Sequence, residues 1–283
     1  MLPMPHVEGV AHRWTTVGGL KLHFAEAGDG DPLVLLHGWP QHWWSWRHTI
    51  GPLAERYRVI CPDIRGLGWS EGSSAPDAYS LHRLAADLRE LLDDLGLERT
   101  SLVGHDWGSA IGYRACLNWP DRFERFVPMA GVHPWSVFSR PRLFVRPWHL
   151  YVLAAIGSPG ITRLGIGENS LRSWRRVGRF TPEEEQVYMA PLRLPRAMVA
   201  TQRYDRNLLL REIPNIVRRH RSLRLEVPTL HLNGERDPLT QAMSLAYREF
   251  APEMELELVP GCGHFIPEEM PEHLVDRLLR FLS

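Results

Sequence analysis

The stretch Gly104-His105-Asp106-Trp107-Gly108 decides the fold of this chain. It follows a short apolar run, residues 101–103, and precedes residues 107–117, which can form a helix. An acidic residue with a glycine two positions to either side is typical of a nucleophile on a tight strand-to-helix turn, because only small residues let strand and helix approach so closely. A glycine-flanked aspartate is also a common helix cap. The motifs elsewhere in the chain must therefore decide between the two interpretations.

Outward from this turn, short apolar strands alternate with helices. The apolar runs are bounded by Gly and Pro, as buried parallel strands are. Residues 80–97 place leucines at helical spacing on one face, and Gly96 predicts where that helix ends. The predicted strands are residues 14–17, 21–25, 32–36, 57–61, 101–103, 125–129, 229–232 and 256–259, and the predicted helices of this βα pattern are residues 80–97, 107–117, 239–250 and 272–282.

The alternation breaks between residues 133 and 225. This segment is rich in Arg, Pro and aromatic residues, shows no strand alternation, and predicts helices at residues 142–156, 182–189 and 196–211. A βα pattern interrupted by a long helical segment indicates a core sheet with an inserted cap. We therefore predict an α/β core domain of residues 1–132 and 226–283, with a helical cap of residues 133–225 inserted after the sixth strand.

Motifs that follow other predicted strands supply the partners that an aspartate nucleophile needs. Asn233-Gly234-Glu235-Arg236-Asp237-Pro238 offers an acid, and Gly261-Cys262-Gly263-His264-Phe265 offers a base. His37-Gly38-Trp39-Pro40, after the third strand, offers a second backbone N–H donor for an oxyanion. The chain order of nucleophile, acid and histidine is the order found with this kind of turn. Four independent pieces in the required order favour catalysis over a helix cap.

The chain with these motifs resembles the α/β-hydrolase-fold epoxide hydrolases along nearly its whole length. The resemblance rests on the turn at Asp106, on His37-Gly38-Trp39-Pro40-Gln41 with Trp44-Ser45-Trp46-Arg47, and on Asp63-Ile64-Arg65-Gly66-Leu67-Gly68-Trp69-Ser70. It implies an α/β-hydrolase fold, with a mostly parallel central sheet flanked by helices. The acid of this family stands a few residues beyond its strand, before a turn. This favours Asp237 over Glu235, since Pro238 starts such a turn.

An aspartate nucleophile predicts a chemistry that differs from that of a serine esterase. A free aspartate has a pKa of about 3.9, so it is ionised at neutral pH and needs no base in order to attack. Attack on an sp³ carbon would leave an alkyl ester on Asp106, and His264, oriented by Asp237, would activate the water that hydrolyses it. The backbone N–H groups of Trp39 and Trp107 would hold the oxyanion. The residues expected to contact the substrate are His37, Trp107, Tyr151 and Phe265.

Opening an epoxide also requires a proton donor for its oxygen, which this family takes from two cap tyrosines. Tyr204 lies in the late cap segment, although Asp205 could equally stand at the tyrosine position. In the early cap segment His149 stands about where a tyrosine is expected, with Tyr151 two residues on. The resemblance therefore implies His149 and Tyr204 as the donors, with Asp205 and Tyr151 as alternatives.

Two other functions share parts of this pattern. Haloalkane dehalogenases have the same nucleophile and following Trp, but they need two N–H donors for the halide. One subfamily uses an Asn where Trp39 stands here, and another uses a cap residue, for which Trp148 or Trp174 could serve. Fluoroacetate-type dehalogenases use Arg where Trp107 stands. A non-catalytic ligand receptor is the third alternative, but it has no use for a complete nucleophile, acid and base.

Composition narrows the remaining properties. The chain is 44% hydrophobic and 23% charged, with a formal net charge of +0, so no overall field favours nucleic acid or a membrane surface. The N-terminal residues lack the pattern of a signal peptide, and the apolar runs are too short to span a bilayer. Three cysteines at unrelated spacings indicate reduced thiols. We expect a cytoplasmic monomer or homodimer with no metal or cofactor, acting on a small apolar epoxide and water.

Overall fold

One eight-stranded sheet forms the centre of the computed structural model, which describes residues 2–136, 180–242 and 245–283. Its strands are β1 Ala11–Val17, β2 Leu20–Ala27, β3 Asp31–Leu36, β4 Tyr57–Pro62, β5 Thr100–His105, β6 Phe123–Met129, β7 Thr229–Gly234 and β8 Met254–Val259. They lie in the order β1-β2-β4-β3-β5-β6-β7-β8. The pairs β1–β2 and β2–β4 are antiparallel, and the remaining neighbouring pairs run parallel.

Helices cover both faces of this sheet. Side chains alternate along β3, so Val34 and Leu36 pack with the core on one face while Leu33 and Leu35 pack with the core on the other. The described helices are α1 Arg47–Ala54, α2 Leu81–Asp94, α3 Trp107–Asn118, α4 Pro182–Leu192, α5 Pro195–Asn207, α6 Ile213–Arg219, α7 Ile266–Glu269 and α8 Pro271–Leu282. None of the helices in these ranges is long and apolar enough to cross a membrane.

The order of the strands determines where a site can form. From β3 the chain crosses to β4 on one side and then returns to β5 on the other side. Ligands of open parallel sheets bind at the carboxyl ends of the strands where this reversal occurs. The segment after β3 and the turn after β5 both lie at that position, and the carboxyl ends of β7 and β8 lie at the same edge.

The α/β-hydrolase fold expected from the sequence is confirmed, and so are the eight predicted strands. The helix predicted over residues 239–250 is wrong, because the described residues form two 3₁₀ segments, Pro238–Ala242 and Leu245–Glu249. Here the Thr240 hydroxyl donates to the carbonyl of Gly234 at 2.6 Å, which holds the chain in a tight turn against the end of β7. Helix α1 was not predicted, because Gly51-Pro52 in its middle is ordinarily typical of a break.

The cap lies where the sequence predicts it, between β6 and β7. Its described part consists of α4, α5 and α6, with a short π-helical stretch, Leu208–Glu212, between the last two. Helix α4 begins with a capping box, in which Thr181 and Glu184 each accept a backbone N–H from the other. The helix predicted at residues 142–156 lies outside the described residues. The cap boundaries at residues 133 and 225 stay a prediction.

Ion pairs and a hydrogen bond attach this cap to the core. Arg47, in the first turn of α1, pairs with Glu184 of α4 at 2.7 Å and with Glu268 of α7 at 2.6 Å. At the other end, Glu212 accepts from the backbone N–H of Leu81 at 3.1 Å and from Arg114 at 2.9 Å. These contacts hold the described cap helices over the carboxyl ends of the strands.

Candidate active site

Asp106 stands at the tip of the turn between β5 and α3. Its backbone has φ 52° and ψ −110°, a conformation that L residues adopt rarely and that costs about 1–3 kcal/mol. Gly104 and Gly108 make the turn possible, because a Cβ on Gly104 would collide with the carbonyl oxygen of Gly108, and a Cβ on Gly108 with that of Leu36.

Gly104→Ala and Gly108→Ala are therefore expected to lower the free energy of unfolding by at least about 1–3 kcal/mol each, since neither clash can be relieved by a flexible side chain. Gly51→Ala is the matched control, because a Cβ there meets nothing within 4 Å. Gly51 lies inside α1, so its replacement should leave stability unchanged or raise it by about 0.5–1 kcal/mol. Urea unfolding measures all three. Equal midpoints would refute the steric role of the turn glycines.

Backbone N–H groups hold the carboxylate of Asp106. Its Oδ1 accepts from the backbone N–H of Trp39 at 2.9 Å, and the backbone N–H of Trp107 donates to the same side chain. These are the two donors that the sequence motifs predicted for an oxyanion. The Asp106 side chain keeps 21% of its surface accessible.

His264 faces this carboxylate from the loop after β8. Its Nε2 lies 3.7 Å from Asp106 Oδ2, and its Nδ1 lies 2.9 Å from Oδ2 of Asp237. Asp237 is itself fixed by the backbone N–H of Leu239, which donates to Oδ1 at 2.9 Å. Glu235, the competing acid, accepts instead from the backbone N–H of Gly261 at 2.9 Å and is exposed. The structure thus places Asp237 beside the histidine.

These three groups shift one another's pKa. Burial lowers the pKa of His264, but the charge and hydrogen bond of Asp237 and the charge of Asp106 outweigh it and raise the pKa above 6.5. Burial raises the pKa of Asp237, but the charge and hydrogen bond of His264 outweigh it and hold the pKa below 3.8. For Asp106 burial prevails over His264 and the two backbone N–H groups, so its pKa is raised. Asp237 therefore stays a carboxylate, and it stabilises a positive charge on His264 when the imidazole takes up a proton.

Two buried residues that support the site were not recognised from the sequence. The His105 Nε2–H donates to the carbonyl of His264 at 2.9 Å, and burial with the nearby His264 lowers the His105 pKa to about 3, so this imidazole is neutral. Asp63, after β4, accepts from His23 and from the backbone N–H groups of Trp43 and Trp69 at 2.8–2.9 Å. Asp63 thereby connects β2 with the segments that contain Trp43 and Trp69.

His37 and Phe265, both expected to contact substrate, differ in their placement. His37 is fully buried, and its two ring nitrogens bind backbone, the carbonyl of Gly38 and the N–H of Ile64, each at 2.9 Å. This does not fit the substrate contact expected for His37, because no part of its ring is left to face a cavity. Phe265 packs edge-on against His264, with ring centroids 5.1 Å apart.

The placement of Tyr204, one of the cap residues expected to protonate the epoxide oxygen, also differs from expectation. The hydroxyl of Tyr204 donates to the backbone carbonyl of Arg65 at 2.7 Å, and its ring packs on Trp107 with centroids 4.9 Å apart. A hydroxyl used in this way does not point at an oxygen beside Asp106, so its placement does not fit the expected proton donor. His149 and Tyr151, together with Trp148 and Trp174, lie outside the described residues. No group of three or more His, Cys, Asp or Glu in the described ranges could hold a metal ion.

Comparison with known proteins agrees with this fold. Residues 31–271 match the model of the α/β hydrolase fold family, so the chain belongs to that family. It is 29% identical to the soluble epoxide hydrolase of Corynebacterium sp. (strain C12), covering 97% of this chain and 98% of that one. It is 31% identical to epoxide hydrolase A of Mycobacterium tuberculosis (strain ATCC 25618 / H37Rv), covering 96% and 97%.

Solved structures show the same relationship. The crystal structure of epoxide hydrolase A from Mycobacterium thermoresistibile superposes with a TM-score of 0.82 at 28% identity, covering 96% of this chain and 98% of that one. The resemblance to epoxide hydrolases that the sequence motifs indicated is thereby confirmed.

Proposed function

We propose that this chain is an enzyme that hydrolyses epoxides to vicinal diols through a covalent ester on Asp106. The observation that carries the proposal is the line of three groups, Asp106, His264 and Asp237, in which the histidine lies between two carboxylates at 3.7 Å and 2.9 Å. The epoxide hydrolases to which the chain is similar support the same activity. The free, buried thiols of Cys61, Cys116 and Cys262 fit a reducing compartment such as the cytoplasm.

In the first step, Asp106 attacks a carbon of the epoxide. Oδ1 accepts from Trp39, while Oδ2 faces His264, so Oδ2 is the oxygen available to attack. The new bond joins Oδ2 to the substrate carbon, and the broken ring bond leaves its electron pair on the epoxide oxygen. That oxygen then takes a proton. The product is a hydroxyalkyl ester, and Asp106 loses its charge.

In the second step, water hydrolyses the ester. A distance of 3.7 Å between His264 Nε2 and Oδ2 is long for a direct hydrogen bond, and a water activated by His264 can attack the adjacent carboxyl carbon. Charge then develops on Oδ1, where the N–H of Trp39 stabilises it, and the N–H of Trp107 donates to the same side chain. Asp237 stabilises the imidazolium that forms.

The dehalogenase alternative has less support from the described contacts. A departing halide needs two N–H donors beside the nucleophile. The indole N–H of Trp39 donates to the hydroxyl of Thr201 at 2.9 Å, so it is occupied within the protein. The cap residues Trp148 and Trp174, which could supply a donor, lie outside the described residues.

The test is to incubate the enzyme separately with an aryl epoxide and with a haloalkane, and to assay diol and halide. We expect diol from the epoxide, with a kcat/KM at least about 10²-fold above that for halide release, because the described part of the site holds no second indole donor for a departing halide. Halide release with no diol would replace the proposal by the dehalogenase. Neither product, from a folded protein, would favour a binding protein.

A further inference from the structure

The contacts of helix α5 determine which of its side chains face Asp106. Arg196 donates to the backbone carbonyl of Gly68 at 2.7 Å, and Tyr204 donates to that of Arg65 at 2.7 Å. Between them, Ala200 packs so closely on Gly66 that a Cβ added to Gly66 would collide with the Cβ of Ala200. These three cap residues are spaced four apart, so they form one face of the helix, and that face is fixed on the loop after β4.

Thr201 and Asp205 form the next stripe of α5, again four residues apart. The Thr201 hydroxyl accepts from the indole N–H of Trp39 at 2.9 Å, which places this stripe above the segment that holds the Asp106 carboxylate. The ring of the neighbouring Tyr204 packs on Trp107. Asp205 therefore stands beside both residues whose N–H groups bind Asp106.

Asp205 is a partly accessible carboxyl group close enough to Asp106 for the two charges to interact. Its side chain is partly accessible, as are those of Trp39, Asp106 and Trp107, although the residues around them are buried. Among the described residues, Asp106 is the charged group that acts on it, and this group repels a second negative charge. Burial, together with the charge of Asp106, raises the pKa of Asp205 to about 7.

We propose that the carboxylic acid of Asp205 protonates the epoxide oxygen during ring opening, in the place expected for a cap tyrosine. This inference rests on the proposed function. As Asp106 Oδ2 bonds to carbon, the ring C–O bond breaks toward oxygen, and that oxygen takes the proton from Asp205, which becomes a carboxylate. Hydrolysis of the ester by water then releases the diol, restores the Asp106 carboxylate and frees one proton, which returns to Asp205. Epoxide and water are consumed, and nothing else changes.

The charge of Asp106 couples these two steps. In the free enzyme the negative charge of Asp106 disfavours ionisation of Asp205, so Asp205 stays protonated. Once Asp106 is esterified, its charge disappears, and Asp205 becomes a stronger acid at the moment when the proton must leave. Hydrolysis restores the charge and with it the proton affinity of Asp205. A carboxylic acid with a pKa near the working pH is also a better donor than a buried phenol.

The experiment measures alkylation alone, in a His264→Gln background in which the ester should accumulate. With an aryl epoxide as the probe, adduct formation is followed by intact-protein mass spectrometry. Adding Asp205→Asn should slow alkylation by about 10²–10³-fold, because an amide cannot supply the proton. Asp205→Glu, which keeps an acid, should recover part of the rate. Asp276→Asn, on the exposed face of α8, is the matched control and should leave the rate unchanged.

The pH profile gives a second readout that a merely structural role would not move. Only the protonated acid can donate, so with Asp205 present the alkylation rate should fall as the pH rises through about 7. In Asp205→Asn this decrease should vanish. Among the described residues, the other titratable group whose charge acts on Asp205 is Asp106. Asp106 acts in the opposite sense, because its protonation slows attack at low pH.

Each outcome decides between the proposals. No adduct with His264→Gln alone would contradict the proposed function itself. Full-rate adduct formation by Asp205→Asn, with an unchanged pH profile, would overturn the role of Asp205 and leave the proposed function standing. A comparable loss in Tyr204→Phe, with Asp205→Asn active, would assign the proton to Tyr204. If Asp205→Asn fails to fold by circular dichroism, the rate and pH profile of Asp205→Glu decide.

Discussion

Asp106→Asn is expected to abolish diol formation, with kcat lowered by about 10⁴-fold or more, because the amide has no nucleophilic oxygen to form the ester. The fold should survive. Asn tolerates the positive φ of this position, and its side-chain oxygen can accept the same N–H of Trp39. Initial rates of diol formation, with the absence of deamidation checked by mass, measure the effect.

Stability provides the control for this variant. The raised pKa of Asp106 means that its ionised form is disfavoured in the folded state, so the charge costs stability at any pH above that pKa. At neutral pH the neutral Asn should leave the urea midpoint unchanged or higher. Asp121→Asn, at an exposed position after α3, should keep full activity. Wild-type turnover in a deamidation-free Asp106→Asn would remove the nucleophile from the proposed mechanism.

The second large effect is expected for His264→Gln, which should block hydrolysis of the ester rather than its formation. Attack by Asp106 does not need the histidine, but hydrolysis of the ester does, so turnover should fall by about 10²–10⁴-fold while the ester accumulates. Ring opening expels nothing, and the adduct should therefore weigh as much as the whole epoxide. A haloalkane would add its mass less that of the hydrogen halide. Intact-protein mass spectrometry distinguishes the two.

The control for the adduct is the double variant His264→Gln with Asp106→Asn, which should remain unmodified. Digestion should then locate the added mass in the peptide that contains Asp106. An adduct on another residue would contradict the assignment of the nucleophile. Slow turnover without any adduct, in a protein that still binds the epoxide, would show that hydrolysis is not limited by loss of His264.

The local sequence pattern predicted the core of this protein well, because the contacts that require these residues lie within single turns and strands. Glycines at 104 and 108 are required by the contacts of one turn, and apolar runs such as residues 32–36 follow from burial on both faces of a parallel sheet. Chain order then identified Asp106, Asp237 and His264, since each follows a strand that ends at the same edge. The structure brings these three residues together.

The supporting residues could not be found in this way. Asp63 binds His23, which is 40 positions away, and the backbone of Trp43 and Trp69, and none of these contacts has a sequence signature. His37 follows a strand and is a polar residue, as a substrate contact would be. Only the fold shows that both of its ring nitrogens bind backbone.

By itself, the sequence determined the α/β-hydrolase fold, the cap after the sixth strand, and the three residues of the proposed catalytic line. The tertiary structure distinguishes the two adjacent cap residues, because the Tyr204 hydroxyl binds the carbonyl of Arg65 while the charge of Asp106 acts on Asp205. Tyr204 and Asp205 are adjacent, and successive residues of a helix point about 100° apart, so a shift of one position changes the candidate donor. The docking of Arg196, Ala200 and Tyr204 on the loop after β4 sets the rotation of α5, because packing between distant segments settles what helical periodicity leaves open.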